Sequence, residues 1–204
     1  MRTAQEQFWA GEFGDAYIER NTGPGLLASV TARWAKILAH THGVKSALEL
    51  GANIGNNMKA LHTLLPNATL DGVEINQKAF DILSQLPYVT AHHASILEYV
   101  HSTPVDLSFT SGVLIHIDPD ELPRVYRSLY ESSRRYIMVC EYYNLVPVEI
   151  VYRGHTGKLF KRDFAGELLT QYPDLKLIDY GFIYHRDPTF PGDDLNWFVM
   201  EKRG

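Results

Sequence analysis

From Ser46 onward the sequence alternates short apolar runs with amphipathic segments, and this alternation constrains the fold more than any other feature. Strands are predicted at 46–50, 69–75, 88–92, 105–111, 135–141, 175–184 and 195–202, and helices at 56–65, 77–86, 119–132 and 162–172. Strands that alternate with helices form parallel βαβ units. No helix separates the last two strands, so the last strand should be antiparallel. The sequence therefore predicts an α/β fold with a seven-stranded, mostly parallel sheet.

The first 45 residues have a different pattern and are predicted to form a helical N-terminal extension. Apolar residues recur at helical spacing at Leu26, Leu27, Val30, Trp34, Ile37 and Leu38. An aromatic stretch precedes them, with Phe8, Trp9, Phe13 and Tyr17, and it is too apolar for a free tail. We therefore expect a helical cap (1–45) followed by one compact unit (46–204). The aromatic stretch should cover either a bound cofactor, as a lid, or a face of the sheet.

Composition excludes several classes of protein. The net charge is −5, from 19 Lys and Arg against 24 Asp and Glu, which argues against general nucleic-acid binding. No apolar run approaches the roughly 20 residues that span a bilayer, so no membrane partner is expected. The single cysteine, Cys140, allows no disulfide within the chain and favours a reducing, cytoplasmic location. No metal site is predicted, and the oligomeric state is left open.

The segment after the first strand is the most informative about ligands. Gly51 and Gly55 follow the strand and precede a helix, where a doubly wound sheet binds nucleotide-like cofactors. The dinucleotide fingerprint needs glycines at offsets two and five, which here are Asn53 and Asn56, so a nicotinamide-dependent reductase is disfavoured. S-adenosylmethionine (SAM) fits better. The carboxylate of Glu49 can bind its ammonium group, and the carboxylate of Glu74, at the end of the second strand, can accept hydrogen bonds from its ribose hydroxyls.

These residues resemble motifs I and II of class I SAM-dependent methyltransferases, with Glu49-x-Gly51-x-Asn53-x-Gly55 as the first motif and Glu74 as the second. The family often has an acidic residue at the adenine amine, where this sequence has Ser95 and Ile96. Tyr17, Arg20 and Asn21 are polar enough to reach the methionyl carboxylate. The resemblance implies a cofactor site formed by Glu49, Gly51, Ala52, Asn53, Gly55, Asn56, Glu74, Ile75, Ser95, Ile96, Ser111, Tyr17 and Asn21.

Strings further along the chain are more specific. The segments at 111–120, 141–144, 152–155 and 157–167 resemble the pseudaminic acid biosynthesis-associated methylase family, and the similarity continues at 180–188 and 196–198. This resemblance implies a Rossmann-like class I methyltransferase fold, SAM as cofactor and a small anionic sugar-type acceptor. That acceptor would be pseudaminic acid or a related CMP-activated or free nonulosonic acid. The alternative is a non-catalytic SAM- or nucleotide-binding module of a sugar pathway.

Two strand ends carry candidates for a catalytic base. His116 follows the fourth strand and titrates near neutral pH, although it could instead be a buried histidine that orients its loop. Glu141 ends the fifth strand, where a structural ion pair is the alternative.

Acceptor binding is assigned to the long connection that follows Glu141 and to the last hairpin. The stretch from 152 to 162 is basic and suits a carboxylate or phosphate. The alternative, a solvated loop with a basic helix start, is disfavoured because basic residues at a helix N-terminus oppose the macrodipole. The candidate acceptor-binding residues are Tyr142, Tyr143, Tyr152, Arg153, His155, Lys158, Lys161, Arg162 and His185.

Overall fold

The computed structural model describes residues 2–23 and 25–203. The predicted outer boundaries at Met1 and Gly204 lie outside the described residues. None of the described helices has both the length and the apolar character needed to cross a membrane.

Within the described residues nine strands follow one another in chain order, and seven of them form one sheet. The strands are β1 (Ser46–Leu50), β2 (Thr69–Glu74), β3 (Val89–His93), β4 (Val105–Ser111), β5 (Ser133–Glu141), β6 (Val148–Glu149), β7 (Phe160–Lys161), β8 (Leu175–Phe182) and β9 (Asn196–Lys202). The main sheet has the order β3-β2-β1-β4-β5-β9-β8. Strands β1 to β5 pair in parallel, whereas β9 is antiparallel to both β5 and β8. The predicted sheet, with its antiparallel last strand, is confirmed.

Helices cover both faces of this sheet. They are α1 (Ala4–Ala10), α2 (Glu12–Ile18), α3 (Leu26–Leu38), α4 (Asn56–Leu64), α5 (Gln77–Leu83), α6 (Leu122–Ser132) and α7 (Phe164–Gln171). Side chains of α3, α4 and α5 share one hydrophobic cluster with the sheet, and those of α6 and α7 share the other. The predicted helical N-terminal extension is therefore present as α1, α2 and α3.

Burial explains why these helices dock. Trp34 and Ile37, on one side of α3, have no exposed surface and pack against the sheet, with Trp34 edge-on to Phe109 of β4. On the opposite face, α6 buries Val125 and Leu129 completely. Burying a side chain of this size stabilises the fold by about 1.5–3 kcal/mol. The two layers fix the sheet, and the sheet fixes the loops at its carboxyl edge.

Two helices begin later than the sequence predicts. The helix expected from 162 begins at Phe164, because the Asp163 carboxylate accepts a hydrogen bond from the Gly166 amide at 2.8 Å and caps it. Arg162 therefore lies before the helix. The helix expected from 119 starts as a 3-10 turn at Pro119–Glu121, and Asp118 caps that turn as expected.

The long connection after β5 is more regular than its sequence suggests. Strands β6 and β7 pair within it as an antiparallel hairpin. The tip of the connection is a tight turn in which the backbones of Tyr152 and His155 bond to each other. Arg153 and Gly154, between them, have φ angles of 52° and 84°. The turn thus needs a left-handed backbone at two successive residues, which no apolar periodicity reveals.

Candidate functional site

A cavity of about 230 Å³ opens at the carboxyl ends of β1, β2 and β4. The loops that follow these strands form its floor, and α1, α2 and α3 form its opposite wall. It is lined by residues that include Gln5, Glu6, Trp9, Gly14, Tyr17, Asn21, Arg33, Glu49, Gly51, Ala52, Asn53, Asn56, Asn57, Glu74, Ile75, Asn76, Ser95, Ile96, Ser111, Gly112, Val113, His116, Asp118, Glu121, Asp193 and Leu195. Twelve of the thirteen residues expected to bind cofactor are in this lining.

The turn between β1 and α4 is shaped by its two glycines. Gly51 has φ +84°, and an added Cβ would lie 2.6 Å from a methyl carbon of Val113. Gly55, with φ +78°, does not line the cavity, and an added Cβ would meet Leu83 and Leu86. Gly51 therefore allows the loop after β4 to approach closely, whereas Gly55 seats α4 against α5. Asn53, between them, has φ 47°, a conformation that asparagine adopts more readily than most residues.

The Glu49 carboxylate is buried and only half satisfied. Its Oε1 accepts a hydrogen bond from the Asn57 side-chain amide at 2.5 Å. The Asn57 oxygen in turn accepts from Arg33 at 2.6 Å and from the Trp34 indole at 3.0 Å, which fixes the amide's orientation. Oε2 of Glu49 has no hydrogen-bond partner within the described residues. Burial raises the pKa of Glu49 to about 8.

Glu74 ends the neighbouring strand and shapes the same floor. Its two carboxylate oxygens accept hydrogen bonds from the backbone amides of Asn53 at 2.8 Å and Asn76 at 2.7 Å. Burial raises the pKa of this carboxyl as well. Each oxygen has a second lone pair for a ligand hydroxyl. Two buried carboxylates without a bonded cation thus lie side by side at the ends of β1 and β2.

The N-terminal helices lie over this cavity. The Gln5 amide donates to the Gly157 carbonyl at 3.2 Å, and the Ser95 hydroxyl donates to the Glu6 carboxylate. The Asn76 amide donates to the Trp9 carbonyl at 3.2 Å. Of the two places expected for the aromatic stretch, the structure shows it at the cavity.

Aromatic packing joins the same helices to the long connection. Trp9 lies 4.5 Å from the His116 ring, centroid to centroid, and Phe8 lies 5.2 Å from His155. Tyr152 packs on Phe13 at 5.9 Å and on His116 at 5.0 Å. Tyr152 and His155 therefore contact the N-terminal helices and are outside the cavity lining.

His116 lines the cavity in a defined tautomer. Its Nδ1 lies 2.7 Å from the Lys158 carbonyl oxygen. Because a carbonyl can only accept, Nδ1 carries the proton, and the lone pair of the neutral ring is on Nε2. Burial lowers the pKa of His116 to about 4, so the ring is neutral at physiological pH. The arrangement is compatible with both interpretations made from the sequence. The Nδ1 hydrogen bond orients the loop, and Nε2 is left as the hydrogen-bond acceptor that a base requires.

Glu141 does not reach the cavity. Its carboxylate accepts hydrogen bonds from the backbone amides of Val113 at 3.1 Å and Ile115 at 3.4 Å, and burial raises its pKa to about 7. It supports the turn that carries His116. The expectation of a catalytic contact for Glu141 is therefore replaced by a positioning role, because both oxygens point into the turn.

The residues expected to bind an acceptor are all absent from the cavity lining. Arg162 is ion-paired with Glu167 at 2.6 Å, and His185 is paired with Asp194 at 2.8 Å. The remaining basic and aromatic members of this set lie at the surface or against one another. Lys158 lies over Phe8, Lys161 lies over Tyr142, Arg153 lies over Tyr152, and Tyr143 is exposed.

Sequence reasoning missed several residues of the site. Trp9 was noted only as part of an aromatic stretch, and Glu6 and Arg33 were not singled out. Asp193 follows a Pro-Gly turn, and nothing nearby in the sequence connects it to β1. A signal did exist for Asn57, because it directly follows the predicted loop.

Most of the charged side chains that line the cavity are acidic. Six carboxyl groups line the cavity, at Glu6, Glu49, Glu74, Asp118, Glu121 and Asp193. Among the described lining residues, Arg33 has the one permanent positive charge. Three buried polar atoms there also lack partners within the described residues, namely Trp9 Nε1, Glu49 Oε2 and Asn53 Oδ1. A polar ligand with a cationic donor for the two oxygens and an acceptor for the indole N–H would satisfy these atoms.

Comparisons with known proteins support the fold. No protein-family profile matches the sequence, and no curated protein sequence matches it. Magnesium protoporphyrin IX methyltransferase (ChlM) from Synechocystis PCC 6803, solved with bound S-adenosylhomocysteine (SAH), superposes with a TM-score of 0.71 at 13% identity, covering 97% of each chain.

Two further solved structures agree. The 1,6-didemethyltoxoflavin-N1-methyltransferase of Burkholderia thailandensis, solved with SAH and its substrate, gives a TM-score of 0.72 at 12% identity, covering 98% of this chain and 87% of that one. A SAM-dependent methyltransferase from Leishmania major gives 0.70 at 16% identity, with coverage of 99% and 87%. The chain therefore has the Rossmann-like fold of class I SAM-dependent methyltransferases, as the sequence predicted.

Proposed function

We propose that this protein is a SAM-dependent methyltransferase that acts on a small acceptor. The observation that carries the proposal is the Oε2 atom of Glu49, a buried carboxylate oxygen without a partner in the described residues, at the end of β1. Ionising a buried carboxyl without a partner costs free energy, which is why burial raises the pKa of Glu49, and a cationic ligand at this point would offset that cost. Methyltransferases of this fold are solved with SAM or SAH bound.

The lining residues fit each part of SAM. The Glu49 carboxylate would accept from the methionyl ammonium, and Arg33, which the Asn57 oxygen holds beside it, would pair with the methionyl carboxylate. The second lone pairs of Glu74 would accept from both ribose hydroxyls. Glu6, held by Ser95 and Thr3, would supply the acidic acceptor for the adenine amine that β3 itself lacks.

Bound SAM supplies an electrophilic methyl group on a sulfonium, which leaves as a neutral thioether. The protein's own contribution is therefore alignment and the exclusion of water. Trp9 and Tyr17 cover the cavity and exclude water. His116 presents Nε2 as an acceptor for the proton of the attacking group, so it orients that group and takes its proton late in the transfer.

For the acceptor, we propose a small sugar-type molecule that carries one anionic group, of the nonulosonic acid class. The support is the positive charge of Arg153, Lys158 and Lys161, which have no ion-pair partner within the described residues, and Lys158 lies over Phe8 of α1. Because the cavity lining is acidic, the anionic group would bind to this surface connection. Only the reacting hydroxyl or amine would enter beside His116. The single cysteine, Cys140, favours a cytoplasmic location.

The cofactor proposal is tested by calorimetric titration with SAM and SAH. Glu49→Gln keeps the shape and the bond to Asn57 but removes the charge, and we expect it to weaken SAM binding by about tenfold or more. Glu12→Gln is the matched control, since Glu12 is exposed on α2. Absence of binding to the wild type, or equal affinities in the two variants, would contradict the proposal.

Turnover separates an enzyme from a binding module. Formation of SAH is measured with a CMP-activated nonulosonic acid and with neutral and amine acceptors. Turnover with the sugar acid that falls in a charge-reversed Lys158→Glu, Lys161→Glu variant supports the anionic acceptor. Turnover confined to an amine or a neutral acceptor would keep the methyltransferase and remove the sugar acid, and SAM binding without any turnover would favour the non-catalytic module.

A further inference from the structure

Three metal-ligating side chains meet on the face of the sheet that α6 covers, away from the cofactor floor. Asp71 lies in the middle of β2, His92 lies in β3, and His101 lies in the segment between β3 and β4. One ligand atom from each side chain falls within 4.8 Å of the other two. Asp71 precedes Glu74 by three residues, about 10 Å along the strand, so this cluster is distinct from the cofactor site.

The distances between ligand atoms in the cluster are similar to those between neighbouring ligands of one metal ion. His92 Nε2 lies 2.9 Å from Asp71 Oδ1, and His101 Nε2 lies 3.3 Å from the same oxygen. Ligands bound to zinc at about 2.0–2.1 Å in a tetrahedron are separated by about 3.4 Å. The three side chains are 12%, 28% and 17% exposed for Asp71, His92 and His101, so the cluster is largely shielded but open to one water.

The tautomer of His101 is a second, independent observation. Its Nδ1 lies 2.6 Å from the Thr103 carbonyl oxygen and 3.3 Å from the Thr103 backbone nitrogen, and the shorter contact assigns the ring proton to Nδ1, which donates it to the carbonyl. In a neutral ring Nε2 then has only a lone pair, and that lone pair faces a carboxylate oxygen. A positive charge between Nε2 and Oδ1 is needed to make this contact favourable. Metal-binding histidines commonly donate their other ring N–H to a backbone carbonyl in this way.

We propose that Asp71, His92 and His101 bind one divalent transition-metal ion of the zinc class, with water as the fourth ligand. Two imidazoles and one carboxylate suit zinc and its neighbours better than magnesium or calcium, which prefer oxygen ligands alone. This site does not depend on the proposed methyltransferase activity.

The ion would fasten the 94–104 segment to the sheet. His101 is the ligand from that segment, and its backbone amide donates to the Ser132 hydroxyl at 2.9 Å. The start of the same segment carries Ser95 and Ile96, which line the cofactor cavity. Metal binding would therefore stabilise the part of the cavity lining formed by Ser95 and Ile96, without any contact between the metal ion and the bound cofactor.

The test uses tag-free protein stripped of metal by a chelator. We expect the wild type to bind one equivalent of Zn²⁺ and to give visible ligand-field absorption with Co²⁺ as the probe. His92→Gln and His101→Gln should each weaken Zn²⁺ binding by more than about tenfold, since even the loss of an outer hydrogen-bond partner costs about 10- to 100-fold. His40→Gln, which removes an exposed histidine outside the cluster, should bind Zn²⁺ like the wild type.

Thermal unfolding with and without Zn²⁺ guards against variants that fail to fold. The wild type and His40→Gln should melt higher when Zn²⁺ is present, whereas folded His92→Gln should not respond. Substoichiometric binding, or equal binding by all variants, would overturn the proposal. So would a wild type whose melting temperature does not change when Zn²⁺ is added.

Discussion

The two walls of the cavity differ in how they are built. The floor, at the ends of β1 and β2, uses residues from two neighbouring strand–turn–helix units, and its key contacts join Glu49 to Asn57 and Glu74 to Asn53. The opposite wall is formed by α1 and α2, which touch Ser95 and Gly157 from far along the chain. A local motif thus determines where the cofactor would bind, whereas long-range packing determines what else can enter.

The largest expected effect tests whether His116, which packs against Trp9 of the covering helices, takes part in the chemistry. His116→Gln can still donate to the Lys158 carbonyl but cannot take a proton, so turnover should fall about 10²-fold. SAM affinity should change less than twofold. The control is His40→Gln, which alters an exposed histidine outside the cavity and should leave turnover unchanged. Equal turnover in the wild type and His116→Gln would remove His116 from the chemistry.

A smaller effect is expected on the floor. Glu74→Ala removes the acceptor for two backbone amides and for the ribose hydroxyls, so SAM affinity should fall about thirtyfold, or roughly 2 kcal/mol. Glu98→Ala is a suitable control, because that side chain is 79% exposed. Calorimetry gives both affinities. An unaltered affinity in folded Glu74→Ala would show that the floor does not bind the ribose.

The covering helices can be displaced by one methyl group. An added Cβ on Gly14 would lie 1.9 Å from the Trp9 carbonyl oxygen, so Gly14→Ala must separate α1 from α2. Overpacking of this kind costs about 1–3 kcal/mol, and we expect about tenfold weaker SAM binding. Gly23→Ala is matched, since an added Cβ there meets nothing within 4 Å. Identical SAM affinities in the two variants would mean that the helices do not contribute to binding.

The smallest effect is a linked proton. Burial raises the pKa of Glu49 to about 8 from a normal value of 4.5, so the ligand-free protein loses stability as the pH rises between these values. SAM would bind the charged form, so binding at pH 6 should release a proton and binding at pH 9 should not. Calorimetry in buffers of different ionisation enthalpy measures this release.

Variants assign the proton. Glu49→Gln should remove the proton release that comes from Glu49. The release that comes from Glu74 should remain, because burial raises the pKa of Glu74 as well. Glu141→Gln should leave the release unchanged, although the pKa of Glu141 is raised to about 7, because that carboxyl is outside the cavity. His116 does not titrate between pH 6 and 9, since its pKa is lowered to about 4. Undiminished release in Glu49→Gln would contradict the assignment.

The contrast between local and long-range contacts also explains which parts of the fold and the site the sequence could predict. The strands and the floor were predictable because hydrophobic period and loop residues are local properties. Glu6 was not, because its contact with Ser95 joins residues 89 positions apart. The pairing of Arg162 was not predictable for a different reason, since charge alone could not show that Glu167 neutralises it. Side-chain pairing across elements is a tertiary property, and no spacing in the chain encodes it.

The place of β9 in the sheet has a consequence for synthesis of the chain. β9 lies between β5 and β8, although it follows both in the sequence. Until Asn196–Lys202 has been translated, the edge of β5 is unpaired and β8 has no strand that joins it to the sheet. Unpaired strand edges are prone to aggregate, so an incomplete chain exposes an aggregation-prone edge at β5 until β9 is synthesised.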